Sequence, residues 1–166
     1  AGRMGIFLGS WYTAPIVRRA TGDLSSGGFD QELDRIEAFE RMLGSENVLV
    51  VKFWLHLKKE LVRKRFEKLE SDPLTAWRVT KQDWAFFKRY DKFKAISEHT
   101  LRRTSTGHAP WHIVEATDWR YRNLAVGDRL TEVVTARLAE LATAPKPHRA
   151  PDRPKPPKTN LLSTLD

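Results

Sequence analysis

Two periodicities divide this chain. From Asp30 to Leu43, the residues Leu33, Ile36, Phe39 or Glu40, and Leu43 recur at three- and four-residue spacing, which predicts a helix with one buried stripe. Gly44 stands where a helix C-cap belongs. Asn47 to Leu57 is nearly continuous in Val48, Leu49, Val50, Val51, Phe53, Trp54 and Leu55, the pattern of a strand buried on both faces of a parallel sheet. Gly5–Leu8 and Trp111–Ala116 read as two further short strands, the first ending at Gly9. Lys58–Ser71 is a highly charged helix stopped by Asp72-Pro73. Thr80-Lys81-Gln82-Asp83 offers a capping box, from which one aromatic-rich helix is predicted to run to about Arg102. Arg120–Leu141 forms a last helix with Leu130, Val134, Leu138 and Leu141 in one stripe. Helices alternating with apolar strands predict an α/β domain with a mainly parallel sheet. No internal repeat is evident.

Composition narrows the class. The 166 residues suit one domain, and 40% hydrophobic with 30% charged residues argues against wholesale disorder. No apolar run approaches the roughly 20 residues of a membrane span. There is no cysteine, which excludes a disulfide scaffold, a thiolate metal site and a cysteine nucleophile. No basic-then-apolar leader opens the chain, so a cytoplasmic protein without membrane partners is expected. The start at Ala1, without an initiator Met, suggests a piece of something longer. Six of the nine prolines fall after Thr143 among Lys and Arg, so residues 143–166 are expected to be an extended linker toward a following domain. Its PxxP spacings also permit an SH3-type ligand, the weaker account.

The net charge of +8 is unevenly spread. Residues 58–103 hold 14 basic and 7 acidic side chains, residues 143–166 carry a surplus of +3, and residues 1–57 and 104–142 are each −1. Such a block suits a polyanion, although a solvated helical face has the same composition. The chemistry search is otherwise negative. GxxxxGK[ST], GxGxxG and GxSxG are all absent. His108 and His112 have a metal-like gap but flank Pro110, with no acidic or thiolate partner. Ser105 with His108 lacks a third group to orient the imidazole. Trp11, Tyr12, Trp84, Phe86, Phe87 and Tyr90 read as packing aromatics rather than base-stacking platforms. What remains is a basic helical hairpin carrying Arg63, Lys64, Arg65, Arg78, Lys81, Lys88, Arg89, Lys92 and Lys94. It is followed by Arg102, Arg103 and a Thr-Ser-Thr-Gly loop rich in donors. Guanidinium and ammonium groups so grouped bind phosphate oxygens by charge-assisted hydrogen bonds, and a hairpin can close over such a ligand.

These residues resemble a family. KFWLHL (Lys52–Leu57), RKRFEKLESDPLTAWRVTKQDW (Arg63–Trp84) and RRTSTGHAPWHIVEATD (Arg102–Asp118) are similar to the lid and following strand of the polyphosphate kinase 2 family. GIFLGSWY (Gly5–Tyr12) is similar to its strand-and-turn motif. The resemblance extends from about Gly5 to Leu141 and is strongest to the first half of tandem-domain members that transfer phosphate from polyphosphate to AMP. It implies a P-loop-kinase-like parallel sheet with a helical lid over about residues 58–110. Residues 1–142 would be the C-terminal part of the domain, truncated so that the P-loop half is missing. It further implies magnesium in the family, and polyphosphate, AMP or ADP and the remainder of the polypeptide as partners. Arg65, Arg78, Lys81, Arg89, Arg102, Arg103, Thr104 and Thr106 would bind phosphate. Two departures stand out. Active members carry Phe-Asp-Arg-Ser-Trp-Tyr, whereas Phe7-Leu8-Gly9-Ser10-Trp11-Tyr12 puts Leu8 at the carboxylate and Gly9 at the arginine, and Arg18 aligns with an acidic residue. The expectation is a non-catalytic half, with no catalytic residue and no metal site in this chain alone. An intact minimal kinase is disfavoured by the absent P-loop. A basic nucleic-acid-binding module is the alternative, but it gives the Ser-Trp-Tyr and Ala-Pro-Trp motifs no role.

Overall fold

The computed structural model describes residues 2–143, so the expected linker falls almost wholly outside the described residues. The first helix, α1 (Thr13–Thr21), has no counterpart in the sequence prediction, and Pro15 lies in its first turn. In the first turn the missing N–H costs nothing, since it has no intrahelical partner there. The helix α2 (Ser26–Ser45) is longer than expected at both ends. Ser25 caps it by accepting the Gly28 N–H at 3.1 Å, and a Cβ on Gly28 would stand 3.0 Å from the Leu24 side chain. Gly44 is not its cap but lies inside the last turn. Asn47, at φ +62°, turns the chain out, with Val48 N–H bonded to Leu43 O and Asn47 N–H to Gly44 O. That is a Schellman closure with Asn, which tolerates the left-handed conformation, in glycine's place.

The strand β1 (Lys52–His56) pairs in parallel with β2 (Trp111–Glu115), in the register Lys52 with Trp111 and His56 with Glu115. The parallel α/β expectation therefore holds, as a sheet of two strands. Gly5–Leu8 is not a strand: Ile6, Phe7 and Leu8 are exposed, and a strand without a ladder partner gains nothing over solvent. Nor is β1 buried on both faces. Leu55 is half exposed, and Val48 and Leu49 lie outside the strand on the surface, because β1 has one neighbour only among the described residues.

Between the two strands come α3 (Lys59–Glu70), a 3-10 turn at Ala76–Arg78, α4 (Lys81–Lys88) and α5 (Tyr90–Thr104). The capping box is formed as expected: Thr80 accepts the Asp83 N–H and Asp83 accepts the Thr80 N–H. The single helix predicted to Arg102 is broken at Arg89, whose ψ of 14° is not helical. The two pieces serve different apolar clusters. On α4, Trp84 and Phe87 pack edge-on around Phe66 of α3, whereas Phe86 meets Phe93 of α5. One straight helix would have to serve both from a single axis. The chain ends its described part in α6 (Trp119–Thr143), whose predicted stripe is not buried; Leu138 and Leu141 are exposed.

The core lies where α1, α2 and α5 meet the sheet. Tyr12, Ile16, Phe29, Leu33 and Ile36 are buried, with Trp54, Phe93, Ile96 and Trp111 against them. At position 40 the stripe of α2 chooses Glu40 and leaves Phe39 exposed. The core thus has a carboxylate at its edge.

Candidate functional site

The basic residues predicted to bind phosphate occupy two regions. Arg65, Arg78 and Lys81 sit on the unit formed by α3, the 3-10 turn and α4, held together by the Phe66–Trp84–Phe87 cluster and by the Thr75 hydroxyl donating to Leu69 O at 2.8 Å. Arg102, Arg103, Thr104 and Thr106 stand at the end of α5 and the loop after it. Arg89 lies at the joint, at the start of α5. Thirteen residues of helix separate Arg89 from Arg102, about 20 Å, so the set lines a path rather than a point.

Their availability differs. Arg65, Arg78, Lys81, Arg89 and Arg102 are exposed and make no ion pair among the described residues. Arg103 is engaged, bonded to Asp34 and lying 3.6 Å from Asp30, both on α2. Thr104 is fully buried; its hydroxyl donates to Thr100 O and accepts the Trp111 indole N–H at 2.9 Å. Thr106 is half-buried, with its hydroxyl 3.3 Å from His108 Nε2. A β-bridge between Thr106 and Ala109 closes the loop, and the Trp111 N–H donates to Ser105 Oγ.

At the hairpin's base the Tyr90 hydroxyl donates to Leu57 O at 2.7 Å, and Lys59 pairs with Asp91. Beside it opens a cleft of about 590 Å³. Its walls include Ile16, Trp54, Leu57, Val62, Phe93 and Ile113, and its one cation, Lys94, faces Glu98 at 3.9 Å. That lining is mainly apolar, with His56, Lys94, Ser97 and Glu98 as its polar members besides Tyr90.

Sequence reasoning missed the centre behind the loop. Glu40 is 0% and Lys52 6% exposed, and their side chains meet at 2.7 Å. The other Glu40 oxygen, Oε1, accepts the Trp11 indole N–H at 3.0 Å and the Tyr12 hydroxyl at 2.9 Å. Lys52 also donates to Tyr12 Oη and to the carbonyl of Thr104, at 3.2 and 2.8 Å. Its ammonium stands 4.9 Å from the Trp111 ring centroid, close enough for cation–π attraction. Burial pulls the Lys52 ammonium below its ordinary pKa while Glu40 pulls it back up. Burial raises the Tyr12 phenol well above its ordinary value, so it stays a donor. The available signal was a Glu at a stripe position and a Lys inside an apolar run, which together call for a buried partner.

The histidines are used otherwise than as ligands. His112 Nδ1 lies 3.2 Å from Arg129 Nε, and burial, then Arg129, lowers its pKa. Among the described residues no three His, Asp or Glu side chains gather closely enough to hold a metal ion. Leu8, which the sequence resemblance sets against a carboxylate, is fully exposed hydrocarbon. This donor set does not fit magnesium.

The family model described as Polyphosphate kinase 2 matches residues 1–142. A polyphosphate:AMP phosphotransferase of Pseudomonas aeruginosa is 42% identical over 166 residues, covering 99% of this chain and 34% of that protein. One from Pseudomonas syringae pv. tomato is 44% identical over 137 residues, 82% of this chain and 28% of the relative. A crystal structure described as a polyphosphate kinase 2 from Pseudomonas aeruginosa superposes with a TM-score of 0.70 at 40% identity, covering 87% of this chain and 29% of that one. The chain thus spans about a third of the length of these two relatives.

Proposed function

The chain belongs to the polyphosphate kinase 2 family, and we propose that it is the lid-bearing, non-catalytic part of an enzyme that phosphorylates AMP to ADP from polyphosphate. The observation that carries this reading is the row of exposed cations without ion pairs among the described residues, Arg65, Arg78 and Lys81 on the hairpin and Arg102 beside the hydroxyl loop. Phosphate chains carry negative charge at every unit, and such a row meets them along their length. The names of the two Pseudomonas relatives support the substrates. In this reading residues 58–110 are the lid, residues 143–166 lead to a following domain, and the P-loop comes from the rest of the polypeptide, whose strand completes the sheet beside β1. The tandem-domain arrangement is part of the same proposal.

The non-catalytic assignment follows from chemistry at the turn. Phosphoryl transfer depends on a metal and on positioned cations, and Leu8 and Gly9 supply neither a ligand nor a charge. An assay of the purified chain with AMP and polyphosphate tests the assignment. No ADP is expected; turnover on the order of 1–100 per second would overturn it. A titration with labelled polyphosphate and with duplex DNA tests the ligand class, and tighter binding of DNA would favour a nucleic-acid module.

A further inference from the structure

We propose that Glu40 and Lys52 are positioning residues: a buried ion pair that holds the loop 105–110 in fixed register with the Ser-Trp-Tyr turn, and so sets where Thr106 and Arg102 meet phosphate. The proposal rests on the phosphate-binding reading above.

The pair is expensive where it stands. Removing two charges from water costs several kcal/mol per ion, and apolar side chains of similar volume often do as well or better. Position 40 continues a stripe whose other members are Phe29, Leu33 and Ile36, so a Leu there would simply extend the core. What an apolar pair lacks is direction. Hydrogen bonds fix angles as well as distances, and the five that meet here join four segments. Glu40 on α2 takes both aromatic donors of the turn, Trp11 and Tyr12, and Lys52 at the head of β1 reaches the carbonyl of Thr104.

That carbonyl belongs to the last residue of α5, one of the four that a helix leaves without an intrahelical partner, and it accepts the Thr106 N–H at 3.1 Å as well as the Lys52 ammonium. By taking it, Lys52 fixes the direction in which the chain leaves the helix. The loop is then fastened at its far end by Trp111, through Ser105 Oγ and through the indole on Thr104 Oγ1. Arg102 lies two residues before the fixed carbonyl and Thr106 two after it. Among the described residues no buried side-chain nitrogen or oxygen is left without a partner, so the centre has no slack.

Amide hydrogen exchange in the full-length protein reads three quantities separately: protection of Leu33 and Ile36 for the core, protection of 105–110 for the loop, and the polyphosphate concentration that slows the loop. Lys52→Met alone strands a buried carboxylate and should weaken core and loop together. Glu40→Leu with Lys52→Met should restore the core yet leave the loop fast, with about tenfold more polyphosphate needed to slow it, the scale of one misplaced charge-assisted bond. Recovery of loop and core together in the double variant would mean that the pair serves packing only, and overturns the proposal. If the double variant does not fold, Glu40→Gln decides. It keeps the shape and an acceptor for Trp11 and Tyr12 but loses the charge that holds Lys52, so loop exchange should rise more than core exchange. Equal change in both overturns the proposal. If polyphosphate leaves the unmodified loop unaffected, the phosphate reading fails, while the loop-against-core comparison still judges the positioning role.

Discussion

Tyr12 is where a single hydroxyl has the most consequence, because it serves Glu40 and Lys52 at once. Tyr12→Phe keeps the ring in the core but leaves the carboxylate one donor short inside it. We expect a loss of about 1–3 kcal/mol, read by denaturant unfolding. Asp83 offers a pH test at the other end of the molecule. The Thr80 hydroxyl and backbone bonds hold its carboxyl below the ordinary value of 3.8. A depressed carboxylate adds stability that is complete above the unfolded value and is lost as pH falls through the folded one. Melting followed from about pH 5 to about pH 2 should therefore fall with a component below 3.8 that Asp83→Asn lacks. Equal acid slopes in both proteins would show that the capping box does not feel the charge. Single residues were legible to different degrees. The Thr80–Asp83 pair could be read directly, since a capping box is local. Glu40 could not, because the choice between it and Phe39 depends on Lys52 and Tyr12, which the chain brings in from elsewhere.

The hairpin of α3 and α4 is the element on which the proposed phosphate binding turns, and its charge makes a falsifiable demand on salt. Screening shortens from about 30 Å to about 8 Å between dilute and physiological salt, so affinity for polyphosphate should drop steeply over that range. Replacing Arg65 and Arg78 by Gln should weaken binding well beyond the same change at Lys155 and Lys158, measured by titration at both salt levels. Equal losses would leave net charge, not a shaped lid, as the cause. Arg103 is the poorer residue to remove in such a test, since its loss also breaks the contacts to Asp34 and Asp30. Of the elements, α3, β2 and the start of α4 were legible because each is bounded by local signals: Asp72-Pro73, the run from Trp111, the Thr80 cap. The break at Arg89 was not, since it answers to Phe66 and Phe93, two clusters on different helices. Nor was α1, which has no side-chain cap and no acidic residue in its first turn to announce it.

At the scale of the molecule, α/β architecture and a parallel sheet follow from alternating helices and apolar runs, but the number of strands does not, because an apolar run says nothing of its neighbours. Here β1 has β2 on one side and, among the described residues, no strand on the other. The chain also leaves large apolar surface in water: Leu8 is 103%, Ile6 80%, Ile113 66% and, on β1 itself, Leu55 50% exposed. Unpaired strand edges next to apolar faces are templates for another chain, and proteins ordinarily cover or charge them. The net charge of +8 opposes association at a distance, but 14 of the cations lie in residues 58–103, and Lys52 on β1 itself is buried and ion-paired. Repulsion therefore acts mainly from the hairpin and weakens further as salt is added. The 166-residue chain alone should accordingly self-associate, more so in physiological than in dilute salt, as read by sedimentation velocity. Supplying the further polypeptide proposed to carry the P-loop should suppress this by covering the edge. Lys in place of Leu55 should reduce it without changing the protection of Leu33 in α2. A monodisperse monomer with a sharp cooperative melt at physiological salt would show that the two-stranded sheet is sufficient as it stands, and would remove the reason for proposing a further strand beside β1.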